Sequence, residues 1–156
     1  MKKTIYLSLL AGCLMTLGAC EGSEYDLENQ IPEKFHKILY LNTSGKQEVT
    51  LYNTEEDNIY SFSVIKAGSD QTSTAVATIN TLTQEEVDSK YSELEGVDYK
   101  VISPNAYSFD KSQLDFSADE RYKLVNISLN PREVLAALEN DPSAIWVLPI
   151  QVSSQT

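Results

Sequence analysis

The sequence has little of the chemistry on which most catalytic and metal sites depend. Its 156 residues include two cysteines, one histidine, and 12 basic against 23 acidic side chains, a formal net charge of −11. The acidic balance repels phosphate backbones and argues against nucleic acid as a partner. His36 is the single histidine and has no identifiable partners, which predicts a structural or surface role. No nucleophile motif is present, so we expect no enzyme. The acidic residues lack the spacing of a calcium loop, and we expect neither a metal nor a cofactor.

Both cysteines fall near the N-terminus, where the sequence predicts a leader. Lys2 and Lys3 precede an uncharged run over 4–19, which is typical of a secretory signal and shorter than a membrane span. The run ends Leu-Gly-Ala-Cys at 17–20, which resembles a bacterial lipobox. The resemblance implies that 1–19 is a lipoprotein signal peptide and that Cys20 is the lipid attachment site, anchoring the protein to a membrane. The alternative is an ordinary signal peptide with a coincidental cysteine.

Residues 20–34 predict an acidic tether between the anchor and the folded domain. Glu21, Glu24, Asp26 and Glu28 follow Cys20 closely, and solvated acidic segments of this kind hold a domain away from the bilayer. The segment is also similar to the acidic export signal of Bacteroidota lipoproteins, which implies an outer-membrane location with exposure at the cell surface. A plain flexible tether is the alternative.

Residues 35–156 predict a single, mainly β domain. Short apolar runs recur about every 8–12 residues between turn residues, which favours a β-sandwich of about seven to nine short strands. Residues 35–52 read as a hairpin, and Pro149 predicts an edge or a bulge in the last strand. The predicted strands are 35–41, 47–52, 59–67, 74–80, 99–103, 107–109, 113–117, 122–129 and 145–152.

Two short helices are predicted as connections between strands. Thr83 and Glu86 have the spacing of a capping box. Asn130 can cap the second helix, with Pro131 at its first position and Glu133 completing a box. The first helix is expected to bury one apolar stripe, formed by Val87, Tyr91 and Leu94.

The order of these segments carries a family resemblance. An alternating strand at 60–66 and Gly68 are followed by a small-residue strand at 75–79, by 99–104, and by Trp-Val-Leu-Pro-Ile at 146–150. This order resembles the N-terminal β-sandwich domain of Bacteroidota surface lipoproteins, a family of unknown function associated with glycan-utilisation loci. The resemblance implies an immunoglobulin-like sandwich that often precedes a lectin-like or glycoside-hydrolase domain. Because the sequence ends at Thr156, it is expected to be either a stand-alone module or a truncated longer protein.

Tyrosines near strand ends are the candidate ligand-binding residues. A tyrosine ring combines an apolar face, which can stack on a sugar, with a hydrogen-bonding tip. The alternative is that these rings cap the two ends of the core, as Trp146 is expected to pack within it. The candidates for contact with a glycan are Tyr52, Tyr99, Tyr107 and Tyr122.

Three functions remain open at the level of sequence. The first is a lipid-anchored, non-catalytic spacer or display module for glycan capture, with neighbouring surface lipoproteins as partners. The second is a carbohydrate-binding lipoprotein with a shallow aromatic site. The third is a pilin-like adhesin subunit, disfavoured because the two arginines, Arg121 and Arg132, lie far from the cleavage position near the N-terminus that such pilins use.

Overall fold

Alternating apolar residues build the strands of this protein. The computed structural model describes residues 31–155, so the predicted signal peptide and most of the tether lie outside the described residues. The described part contains nine strands: β1 (Ile38–Leu41), β2 (Asn58–Ala67), β3 (Ala75–Thr81), β4 (Tyr99–Val101), β5 (Tyr107–Phe109), β6 (Gln113–Phe116), β7 (Tyr122–Leu129), β8 (Ile145–Val147) and β9 (Ile150–Gln155).

The strands form two main antiparallel sheets. One sheet has the order β1-β2-β7-β5, and the other has the order β6-β3-β9. A small third sheet pairs β4 with β8 in parallel. The inward side chains of both main sheets meet in one core, so the predicted mainly β sandwich is confirmed. The fully buried members of that core include Val64, Leu114, Phe116, Val125 and Ile127.

The predicted hairpin over 35–52 is wrong. Strand β1 pairs with β2, from Ile38 opposite Ala67 to Leu41 opposite Val64, and residues 47–52 form no strand. Strand β2 is long and alternates apolar with polar residues, which makes it a good partner for β1. The segment 47–52 is instead fixed at Tyr52 by the side chain of Asn58. The Asn58 amide accepts from the Tyr52 N–H at 2.8 Å and donates to the Tyr52 carbonyl at 2.9 Å.

The first helical segment has the predicted cap but not the predicted buried stripe. Helix α1 (Gln84–Val87) begins with a complete Thr83–Glu86 capping box. A π-helical turn (Asp88–Ser92) separates it from α2 (Glu93–Glu95). A π turn contains an extra residue, which shifts the following side chains around the helix axis. Val87 is therefore buried, while Tyr91 and Leu94 are exposed.

Replacing Thr83 with alanine should cost about 1 kcal/mol of the free energy of unfolding, because it removes the hydroxyl that accepts from the Glu86 N–H. A urea titration followed by the fluorescence of Trp146 measures this loss. Thr83→Ser retains the hydroxyl and serves as the control. Equal losses in Thr83→Ala and Thr83→Ser would contradict the capping role.

The second helix and the last strands follow local sequence signals. Helix α3 (Pro131–Asn140) begins with proline, and the Asn130 side chain accepts from the Arg132 N–H. Glu133 makes no reciprocal bond, so only half of the predicted box forms. The predicted last strand divides at Pro149 into β8 and β9, and β9 lies at a sheet edge. Trp146 is only partly buried and packs against the core.

Candidate functional site

Two of the four candidate tyrosines pack into the fold, Tyr99 buried and Tyr107 partly buried. The Tyr99 ring is only 5% exposed, and its hydroxyl donates to Glu95 at 2.7 Å. The ammonium group of Lys46 lies 5.0 Å from the centre of the Tyr99 ring. Tyr107 is partly buried, packs edge-on against Phe109, and donates to the hydroxyl of Thr81 at 3.3 Å. These two tyrosines pack against the core, which was the alternative to glycan contact in the sequence analysis.

The other two candidates are exposed but lie far apart. Tyr52 is 70% exposed and is bonded to Asn58, at the start of β2. Tyr122 is 65% exposed and lies opposite Ile65, near the end of β2. Seven residues of extended strand separate Asn58 from Ile65, about 23 Å at the usual rise per residue. The four predicted tyrosines therefore do not form one aromatic platform.

The Tyr52 end of the sandwich contains a shallow cavity of about 390 Å³. It lies between the 48–52 segment and the start of β2, and it combines apolar side chains with one carboxylate. This space could admit a small polar ligand, but its lining offers few convergent hydrogen-bonding side chains. The lining residues are Glu48, Val49, Thr50, Leu51, Tyr52, Asn58, Ile59, Tyr60 and Leu129.

The Tyr122 end carries a second exposed tyrosine that the sequence analysis missed. Tyr40 on β1 is 45% exposed and lies directly opposite Ile65, which in turn lies opposite Tyr122. The row Tyr40–Ile65–Tyr122 thus crosses three neighbouring strands on the outer face of the four-stranded sheet. Alternation in 38–41 could have placed Tyr40 outward, but the erroneous hairpin assigned β1 to the wrong partner.

The acidic turns are engaged in local hydrogen bonds. The Lys123 ammonium at 2.7 Å and the Ser117 N–H at 2.8 Å lower the pKa of Glu120 to about 2. Within the acidic turn before β2, Glu55 lies 3.6 Å from the Arg132 guanidinium. Among residues 31–155, no group of three histidine, cysteine, aspartate or glutamate side chains is arranged to hold a metal ion. Glu120 therefore stabilises its own turn, through its bonds with Ser117 and Lys123.

The predicted lipid attachment site, Cys20, lies outside the described residues. Within the part of the chain that the structure describes, no helix has the length and apolar character needed to cross a membrane.

The fold and its exposed features define a small β-sandwich module with a shallow, open cavity at one end. A family model described as an N-terminal domain matches residues 30–156. The chain belongs to this family of N-terminal domains, as the resemblance in the sequence predicted. No curated protein matches the sequence.

Solved structures from Bacteroides ovatus share the fold. A candidate carbohydrate-binding protein matches with a TM-score of 0.60 and 16% identity, over 76% of this chain and 32% of its own. A protein of unknown function matches with a TM-score of 0.57 and 21% identity, over 81% of this chain and 40% of its own. A multidomain protein including DUF1735 matches with a TM-score of 0.52 and 20% identity, over 74% of this chain and 40% of its own. The chain thus spans well under half the length of these structures.

Proposed function

We propose that this protein is a lipid-anchored, non-catalytic module at the surface of the outer membrane, where it displays or spaces a binding partner in glycan capture. The observation that carries the proposal is membership of a family of N-terminal domains. The similar solved structures devote 32% to 40% of their length to the matched part. A domain of this size can form a self-contained core while neighbouring domains or proteins carry the ligand chemistry.

The sequence supports the anchoring half of this proposal. The lipobox at 17–20 would make Cys20 the acylated first residue, and the acidic segment after it would keep the sandwich in solvent. Two or more acyl chains on one residue hold a protein stably on a membrane. The partners expected on that surface are neighbouring lipoproteins and the glycans that they collect.

The anchoring is tested by Cys20→Ser in the full chain expressed in a Bacteroides host. We expect the wild-type chain to incorporate an alkyne-bearing fatty acid, to fractionate with the outer membrane and to be cleaved by protease added to intact cells. Cys20→Ser should lose the lipid label completely and leave the membrane fraction. Cys13→Ser is the matched control, since Cys13 lies within the predicted leader, and it should behave as wild type. A labelled Cys20→Ser chain, or a wild-type chain protected from protease on intact cells, would overturn this part of the proposal.

The display role is tested on the same cells with an amine-reactive crosslinker. We expect the wild-type chain to form adducts with other surface lipoproteins and the released Cys20→Ser chain to lose them. A surface-exposed chain that crosslinks to no neighbouring surface protein would contradict the display role.

Direct carbohydrate binding is a second candidate function. It is favoured by the exposure of Tyr52 and Tyr122, two of the tyrosines that the sequence singled out. The similar structure described as a candidate carbohydrate-binding protein supports it at the level of fold alone. This candidate requires a site with more than one exposed ring.

A further inference from the structure

The paired outward positions of the four-stranded sheet are all uncharged, and the carboxylate of Asp110, which follows β5, adjoins them through its bond with Asn126. The chain as a whole is 22% charged, so twelve uncharged outward positions on four neighbouring strands are a marked exception. Side chains on one face of an antiparallel sheet are those directly opposite one another and those two residues apart. By the strand registers, the outward positions are Ile38, Tyr40, Ile59, Ser61, Ser63, Ile65, Ala67, Ser108, Tyr122, Leu124, Asn126 and Ser128.

One end of this outer face is an aromatic platform. Tyr40, Ile65 and Tyr122 lie side by side on β1, β2 and β7, with the two rings exposed and the isoleucine half-buried between them. Two strand spacings separate the tyrosines, a distance of about 10 Å. Ile38 and Leu124 extend the platform and are also exposed.

The other end of the outer face supplies hydroxyl and amide groups. Ser61 donates to the Asn126 side-chain oxygen at 2.6 Å, and Ser63 lies between this pair and Ile65 on β2. The Asn126 amide also donates to Asp110 at 3.0 Å, which fixes its orientation. Ser63 lies opposite Leu124 and two residues from Ile65, so the first hydroxyl group is next to the apolar platform.

The charges on and around this surface favour a neutral ligand. A polyanion would be repelled by a chain of net charge −11. A cationic partner would meet no carboxylate at any of the twelve positions, and the adjoining Asp110 carboxylate is already bonded to Asn126 and paired with Lys111. Protein interfaces are depleted in serine and alanine, which occupy five of the twelve positions. A pyranose ring is uncharged, stacks its C–H face on aromatic rings and bonds to hydroxyl and amide groups through its own hydroxyls.

We propose that the Tyr40–Ile65–Tyr122 platform binds a neutral, extended β-linked oligosaccharide, with one sugar on each tyrosine ring. A ribbon-like chain suits this site better than a coiled α-linked one, because both rings lie on the same face about 10 Å apart. The Ser63 hydroxyl can donate to and accept from sugar hydroxyls at the edge of the bound chain. The Ser61 oxygen can accept, and the second N–H of the Asn126 amide can donate. This inference rests on the second candidate function, direct carbohydrate binding, and assigns it a site. It does not depend on the proposal that the protein displays or spaces a partner.

The test uses the full chain, purified in detergent micelles, and isothermal titration calorimetry. Cellohexaose and mannohexaose are the neutral β-linked probes, maltohexaose is the α-linked probe, and hexagalacturonate is the anionic probe. We expect the wild-type chain to bind at least one β-linked probe more tightly than the other two classes. Tyr40→Ala and Tyr122→Ala should each weaken binding about tenfold, whereas Tyr122→Phe retains the stacking face and should remain within about twofold of wild type.

Tyr91→Ala is the matched control, because Tyr91 is 45% exposed, as Tyr40 is, but belongs to the π-helical turn and not to the four-stranded sheet. It should leave the dissociation constant unchanged. An unchanged urea midpoint in each variant shows that the sandwich remains folded. Failure of the folded wild-type chain to bind either β-linked probe would overturn the inference, as would equal binding by Tyr122→Ala.

Sedimentation of the same samples tests whether the platform is instead a contact between protein molecules. Self-association that Tyr122→Ala abolishes, without glycan binding, would overturn the inference in favour of a second copy of this chain. A chain that is acylated and exposed on cells yet binds none of the sugars would refute this site and leave the display role standing.

Discussion

Lys66→Met should lower the free energy of unfolding by about 3 kcal/mol. Lys66 is 3% exposed and faces the core side of β2. Its ammonium group donates to three backbone carbonyls, those of Ser73 at 2.8 Å, Ser117 at 2.7 Å and Ala118 at 2.9 Å. Methionine has a similar length but no donor, so all three carbonyls would lose their hydrogen bond from Lys66 inside the protein.

The position of Lys66 explains why the loss should be large. Ser73 belongs to the loop between β2 and β3, while Ser117 and Ala118 belong to the turn between β6 and β7. The backbone N–H of Lys66 also donates to the Arg121 carbonyl at 2.7 Å. One side chain therefore joins two loops at the same end of the sandwich, and its loss would loosen both.

A urea titration of Lys66→Met measures the effect, and Lys123→Met is the matched control. Lys123 is the neighbouring inward lysine, opposite Val64, but its ammonium bonds to an exposed carboxylate, Glu120. Partly exposed ion pairs contribute less than about 1 kcal/mol, so Lys123→Met should be mild. Equal losses in the two variants, or a loss below about 1 kcal/mol in Lys66→Met, would refute the role assigned to the three carbonyl bonds.

Local signals in the sequence predicted much of the fold. Strands β5 and β7 have the predicted bounds, and the Thr83–Glu86 capping box forms as its spacing indicates. Each of these features depends on residues within one turn or one strand. Pro149 likewise interrupts its strand because proline lacks the donor that a ladder requires.

Features that join distant segments were not predictable in this way. Alternation in β2 places position 66 inward, but the three carbonyls that satisfy the Lys66 ammonium come from residues 73, 117 and 118. The aromatic platform likewise depends on residues that are distant in the sequence. Tyr122 was recognised as a candidate, whereas Tyr40 became relevant only through the β1–β2 register that the predicted hairpin had excluded.

Gly68→Ala should also cost about 3 kcal/mol, for a reason confined to the backbone. Gly68 follows β2 with φ at +123°, a conformation that side-chain-bearing residues rarely adopt. A Cβ at this position would lie 2.2 Å from the carbonyl oxygen of His36 and 2.6 Å from its carbonyl carbon. That carbonyl cannot easily move away, since it accepts from the Asp70 N–H at 3.0 Å.

The matched control for Gly68→Ala is Gly45→Ala. Gly45 also has a positive φ, +82°, but an added Cβ there would meet no atom within 4 Å. The Gly45 variant should therefore lose only the conformational preference, about 1 kcal/mol, while the Gly68 variant adds the collision with the His36 backbone. A urea titration that gives equal losses would show that the close approach of the two chain segments is not what requires glycine. A larger loss at position 68 would explain why Gly68 belongs to the pattern by which the sequence resembles its family.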